Sequence, residues 1–329
     1  MILVNLLFNR PLKFNSTYKQ IIMKRNKERL LFSLMALMLS GTLFMACSKS
    51  STTSTVTPPT PLGGYISSDA VASANLIAYW PFDGNSNDAK GGLTATSVGV
   101  SYTTGIRGQA YQGTTGSYDS LGLPASNSFS SLTSYSFSVW YKLPAQQPSG
   151  DPGGVFFLSG LANQAEMIYE VEHNYSPTGG ADSIRIHHGF TDLGSPAYQG
   201  FTMESYDTTA FNSWVHWVTT YDGTSSTWTV YENGIAIGNS SAFSSGMYIN
   251  PTHLWTDGTM TTPLGNISFA PDPPKYIIIG TWPSGLYGVS SSLGANGSFI
   301  GSLDELRIFN KALSASEVNG LYLNGKAGR

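Results

Sequence analysis

Acidic residues crowd one short stretch of the chain, where Glu166, Glu170 and Glu172 precede His173. On an extended strand side chains alternate between faces, so these three glutamates are expected to share one. A hairpin through residues 174–182 would bring Arg185 and His187 alongside them on the neighbouring strand. Two carboxylates, a guanidinium and an imidazole so placed can hydrogen-bond sugar hydroxyls or perform acid–base chemistry on a glycoside. The same spacing is also that of a cross-strand charge ladder on a solvated face.

A second group of oxygen donors lies in residues 83–88, Asp-Gly-Asn-Ser-Asn-Asp. Carboxylate, amide and backbone oxygens on one loop suit a hard cation such as Ca²⁺, with Asp83, Asn85 and Asp88 as the candidate ligands. The loop is not an EF-hand, because its sixth position is Asp88 and not Gly, and its twelfth is Thr94 and not Glu. A pair of Asx turns explains the same residues without a metal.

The elements that must position these groups read as strands. Residues 135–141 alternate, with Tyr135, Phe137, Val139 and Tyr141 on one face. A meander follows over residues 214–238, turning at Asp222-Gly223 and at Asn233-Gly234; Asn-Gly between alternating runs is a strong hairpin signal. Residues 276–280 are a continuous apolar run, and residues 299–309 read as a long alternating strand. One helix is expected, opened by the capping box Ser314-Ala315-Ser316-Glu317, with Leu313 and Val318 as its hydrophobic staple.

Composition agrees with an all-β exported domain: aromatic residues are 12% of the chain, charged residues 11%, and glycine occurs 36 times. A net charge of -3 with no basic run in the domain argues against a nucleic-acid partner. The one cysteine, Cys47, follows an apolar stretch over residues 30–45 and the basic residues Lys24, Arg25, Lys27 and Arg29. That order looks like a bacterial lipoprotein signal, in which the cysteine is acylated and becomes the mature N-terminus. Residues 1–22 fit no part of the signal and read as a start-site over-call, with residues 23–46 as the signal peptide. Residues 47–63 then form a Ser/Thr/Pro linker and residues 64–329 one domain. With the cysteine committed to lipid, no disulfide or thiolate metal site remains to brace the fold.

Five pieces, in order, resemble a known family. They are residues 76–85 (Leu-Ile-Ala-Tyr-Trp-Pro-Phe-Asp-Gly-Asn), residues 105–111, residues 135–141, the run from Trp214 to Gly234, and residues 301–314. Together they resemble the concanavalin A-like lectin/glucanase superfamily in its laminin G-like, pentraxin-like branch. The resemblance implies a two-sheet antiparallel jelly-roll sandwich with the first strand beside the last. It also implies a structural calcium ion pinning the first-strand loop to the last strand, here at Asp83 and Asp304. Glycanases of the superfamily carry a Glu-x-Asp-x-x-Glu strand, which residues 166–173 lack. No catalytic residue is therefore assigned.

The insertions at residues 146–154, 191–212 and 240–275 enlarge the domain, and aromatic residues in and near the loops, Tyr198, Phe201, Trp255, Trp282 and Tyr287, offer flat apolar faces for sugar rings. Trp80, Trp140, Trp214, Trp217 and Trp228 fall on strands, where at least half should be core, and His216 among them reads as a satisfied sheet histidine. The expected function is a non-catalytic carbohydrate-binding lipoprotein of the cell envelope, with poly- or oligosaccharide as partner and membrane contact through the lipid alone. The candidate ligand-binding set is Glu170, Glu172, Arg185, His187, Trp255 and Trp282. A protein-binding adhesive module and a diverged glycoside hydrolase or lyase are the alternatives.

Overall fold

A computed structural model describes residues 59–144, 153–160, 165–173, 184–190, 202–203, 211–237, 252–253, 262–269, 273–283, 286 and 297–329. Cys47, Tyr198, Phe201, Trp255 and Tyr287 lie outside them. Of Glu172, Arg185 and His187 the structure describes the backbone position alone.

The strands, in chain order, are β1 (Leu76–Trp80), β2 (Thr96–Val98), β3 (Ser101–Thr104), β4 (Gln109–Gly113), β5 (Tyr118–Gly122), β6 (Tyr135–Lys142), β7 (Gly153–Ser159) and β8 (Ala165–His173). They continue as β9 (Ile184–Phe190), β10 (Thr202–Met203), β11 (Val215–Asp222), β12 (Thr227–Glu232), β13 (Ile235–Ala236), β14 (Thr252–His253), β15 (Tyr276–Ile279) and β16 (Gly301–Phe309), followed by helix α1 (Ala315–Lys326). The first sheet runs β13-β12-β11-β6-β16-β4-β3, with β1 added to β16 and β14 to β12. The second runs β10-β9-β8-β7-β15-β5-β2. Neighbouring strands are antiparallel in both, and β1 pairs with β16, so the first strand lies beside the last. The architecture is the expected all-β sandwich.

Alternation builds the core. Phe137 and Trp80 of the first sheet meet Phe156 of the second at ring-centroid distances of 5.4 and 5.9 Å, and Phe137 meets Tyr169 at 4.3 Å. Burying each such ring contributes roughly 1.5–3 kcal/mol, and the interior between the sheets is lined with them. A second apolar cluster lies where α1 packs on the outer face of the first sheet: Val218, Tyr231 and Phe309 contact Val71, Leu313, Val318 and Leu321.

That outer cover explains two departures from simple alternation. β6 is buried on both faces over residues 135–141, because Trp140 lies against Tyr322 and Gly325 of α1 while Ser136 donates to the Lys311 carbonyl at 2.8 Å. β16, expected to alternate, is buried at every residue and carries a bulge between Asp304 and Arg307. Glu305 in that bulge has φ +52°, which strains a side-chain-bearing residue.

The local signals hold. Asn233 (φ +50°) and Gly234 (φ +82°) close the β12–β13 hairpin as a pair of left-handed residues, the geometry that Asn-Gly supplies at least cost. At the start of α1, Glu317 N–H donates to Ser314 Oγ and Ser314 N–H donates to the Glu317 carboxylate at 2.8 Å, completing the capping box. Leu313 and Val318 both enter the cluster beneath the helix. His216 is buried, stacks on Trp140 at 4.8 Å and shares a 2.9 Å hydrogen bond with Ser138 Oγ. Burial brings its pKa down to about 3, so it stays neutral; it is a sheet histidine as expected, but satisfied only at Nε2, since Nδ1 has no hydrogen-bond partner among the described residues.

Candidate functional site

The β8–β9 pairing sets Glu170 opposite His187 and Glu172 opposite Arg185, so Arg185 and His187 lie on the neighbouring strand, as expected from the sequence. Met167, Tyr169 and Val171 of β8 face the core, so Ile168 and Glu170 face away from it. Glu166 does not follow this alternation. Leu158 pairs with Met167 and Ser159 with Ala165, which leaves Glu166 as the extra residue of a bulge. The face is not the solvated ladder either, because Glu166 and Glu170 are each only 2% exposed.

The sequence reading missed the apolar floor beside these carboxylates. Phe157 of β7, Ile168 of β8 and Ile278 of β15 are cross-strand neighbours that form a separate buried cluster on the outer side of the second sheet. The partly exposed Trp282 and Leu286 pack on it, with the Trp282 and Phe157 ring centroids 4.9 Å apart. A signal for this was present. The continuous runs Val155-Phe156-Phe157-Leu158 and Ile277-Ile278-Ile279 put apolar residues on both faces, which only a sheet covered on both sides requires.

Two glycines fix Trp282 over this floor. Gly154 sits opposite Glu170, and a Cβ there would lie 2.5 Å from the Thr281 carbonyl carbon, so the segment leading to Trp282 crosses in contact with the β7 backbone. Gly297 packs flat on the indole, where a Cβ would come within 2.4 Å of the ring. Its carbonyl accepts from both Gly154 N–H (2.9 Å) and Trp282 N–H (3.0 Å). The indole Nε1–H is buried and has no hydrogen-bond partner among the described residues. The result is an aromatic plate held by backbone contacts, with apolar side chains below it and Glu170 on the neighbouring strand.

The aspartate group lies at β1 and β16. Asp83 Oδ1 accepts from Gln109 N–H at 2.7 Å, and Asp304 Oδ2 accepts from Ile106 and Arg107 N–H at 2.8 and 3.1 Å. Both carboxylates therefore hold the turn at residues 105–109, where Gly105 and Gly108 leave room: a Cβ would stand 2.3 and 2.1 Å from Asp304 Oδ2 and Asp83 Oδ1. Asp304 is fully buried and not solvated. Burial raises its pKa to about 8 against the lowering effect of the amide donors, and its Oδ1 has no hydrogen-bond partner among the described residues.

Asn85 and Asp88 serve the local loop, as Asx turns do. Asn85 Oδ1 accepts from Asn87 N–H at 3.0 Å, and Asp88 Oδ1 accepts from Tyr79 and Lys90 N–H at 2.9 Å each. Among the described residues no group of three or more His, Cys, Asp or Glu is gathered as a metal cluster. A hard cation is left with Asp304 Oδ1, Asp88 Oδ2, which is likewise buried without a hydrogen-bond partner among the described residues, and the exposed Asp83 as side-chain donors.

No family model matches the chain, and no curated protein matches it. Solved structures of low identity do. Domain 4 of the extracellular GH43 arabinanase AbnA of Geobacillus stearothermophilus, in complex with arabinotriose, is similar at 20% identity and TM-score 0.44, over 75% of this chain and 98% of that one. The binding domain of Paraclostridial Mosquitocidal Protein 1 is similar at 16% identity and TM-score 0.47, over 76% of this chain and 52% of that one. The binding domain of botulinum neurotoxin serotype G is similar at 14% identity and TM-score 0.47, over 75% of this chain and 50% of that one. The chain thus spans about half the length of the two toxin structures. The two-sheet assignment rests on this chain's own strand order, and at such identities the similarities add nothing about a ligand.

Proposed function

We propose that the chain is a non-catalytic carbohydrate-binding lipoprotein of the cell envelope, and that glycan docks on the outer face of the second sheet at Trp282. The observation that carries this reading is Trp282 itself, a partly exposed indole packed against Gly297 and the Phe157 ring, its backbone approach set by Gly154 against Thr281, beside the Glu170 strand. A pyranose presents C–H groups on its faces and hydroxyls at its rim. A fixed aromatic plate matches the first, at little entropic cost to the protein.

Burial of Glu166 and Glu170 supports binding over hydrolysis, since a hydrolase needs two carboxyl groups open to the scissile bond and to water. The lipid on Cys47 and the Ser/Thr/Pro spacer belong to the same proposal, as the tether that would hold the domain off the outer membrane. So does a structural calcium ion at Asp83 and Asp304, which would supply positive charge to a carboxylate that burial otherwise keeps protonated.

The test is a polysaccharide and glycan-array screen of the full chain in detergent, alongside Trp282→Ala. Binding that Trp282→Ala weakens at least about tenfold, with the melting temperature kept, is the expected result. Silence of the wild type across neutral plant, microbial and host glycans would overturn the reading. Incorporation of a labelled fatty acid, lost in Cys47→Ser, tests the anchor separately.

A further inference from the structure

A row of polar side chains crosses the outer face of the first sheet just past the edge of α1. Ser101 pairs with Gln112, Gln112 with Ser302, and Ser302 with Lys142, across β3, β4, β16 and β6. Their neighbours Tyr111, Leu303 and Tyr141 belong to the core, with Tyr102 packed against it, so the row points outward. Trp214, just before β11, extends it: the Lys142 ammonium stands 5.1 Å from the indole centroid. At about 4.8 Å per strand, Ser101 to Lys142 covers roughly 14 Å.

The row is held in place. Gln112 Nε2 donates to the Gly113 and Gly301 carbonyls, at 3.2 Å each, and its Oε1 accepts from Ser302 Oγ at 2.9 Å. With the amide orientation fixed by the buried Ser302, the half-buried Gln112 keeps acceptor capacity at Oε1 toward solvent. Lys142 shares with Lys326 of α1, which stands 5.4 Å from the Tyr322 ring centroid, a cation–π seat in place of an ion pair among the described residues. Arg107 and Arg307 pair with Asp69 and Glu305, and Lys311 pairs with Glu317, whereas Lys142 rests on an indole with no carboxylate within ion-pair distance among the described residues. Lys142 and Trp214 are both partly exposed.

We propose that this row is a second glycan-contact face, separate from Trp282, that takes an acidic sugar. A uronate carboxylate pairs with the Lys142 ammonium, the sugar's C–H surface packs on Trp214, and a hydroxyl donates to Gln112 Oε1. The cation–π contact keeps the ammonium in place for that carboxylate.

The experiment is calorimetric titration of the full chain in detergent with trigalacturonate and with its fully methyl-esterified, neutral form, using wild type, Lys142→Met, Trp214→Ala and Trp282→Ala. Trigalacturonate should bind the wild type and Trp282→Ala alike. Lys142→Met, which keeps the apolar stem, should weaken it about tenfold, as should esterification of the ligand. Trp214→Ala should weaken it as well. No binding of trigalacturonate by the wild type, or binding that Lys142→Met leaves unchanged, would overturn the assignment. Because the Trp282 face is read out by neutral glycans and Trp282→Ala, failure of one proposal is distinguishable from failure of the other.

Discussion

Asp83 and Asp304, 221 positions apart by their residue numbers, grip the two ends of one five-residue turn: Asp83 takes the Gln109 amide and Asp304 takes those of Ile106 and Arg107. The first-strand loop and the last strand are thus joined through a third segment. The sequence resemblance had suggested a joint through a shared metal.

Asp304 makes stability depend on pH. Its carboxyl titrates at about 8 in the fold, raised by burial, and near 4 in an unfolded chain. Between those values the folded state holds a proton that the unfolded state has released. The group's contribution is therefore full below about pH 4, declines as the pH rises, and is gone above about pH 8. Across that window the wild-type melting temperature should fall relative to Asp304→Asn, whose amide oxygen still accepts from the Ile106 and Arg107 N–H groups. Added calcium should flatten the wild-type slope and EDTA restore it. A slope identical with and without calcium would remove the ion from the proposed function.

Gly154→Ala should destabilise the domain by about 1–3 kcal/mol, because the new methyl group meets the Thr281 backbone and the Phe157 ring at 2.5–2.6 Å. The strain falls on the segment that carries Trp282. Urea unfolding measures the loss, and a glycan titration of the same variant should show weaker binding although no ligand-facing side chain has changed.

The charged cluster on the first sheet should respond unequally to substitution. Arg307 is buried and bonds Glu305 and Asp69 at 2.7 Å each, while Tyr79 Oη donates to Glu305 Oε1 at 2.6 Å. Glu305→Gln leaves a buried guanidinium short of its buried counter-charge and should cost about 3 kcal/mol. Asp69→Ala removes a half-exposed partner and should cost about 1 kcal/mol, less at high salt. Thermal melts at low and high ionic strength separate the two. Equal losses would contradict the burial argument.

Much of the fold was legible because its signals are local. Asn233-Gly234 marked a hairpin, Ser314 and Glu317 marked a helix start, and the alternation from Tyr135 to Tyr141 marked a core face. That β8 and β9 are neighbours followed from strand spacing and the hairpin between them. Glu166 was misplaced because a bulge leaves no trace in alternation, and the grip of Asp304 on the turn at residues 105–109 went unread because it joins segments far apart in the chain. The apolar floor under Trp282 went unread for a related reason. The runs around Phe157 and Ile278 show that both faces are covered, yet which distant segment covers the second face is a tertiary fact.

The ends of the described fold meet. Ser68 donates to the Arg329 carbonyl through both its N–H (3.0 Å) and its Oγ (2.7 Å), Arg329 Nη1 donates to the Thr60 carbonyl at 3.2 Å, and Asn324 donates to the Leu62 carbonyl at 2.9 Å. A short bridge from Arg329 to Thr60 would therefore close the domain into a ring. Cutting that ring at the exposed Thr224–Ser225 tip between β11 and β12 should yield a circular permutant with the same sandwich, presenting the Trp282 face and the Lys142 row on a scaffold whose point of attachment can be chosen.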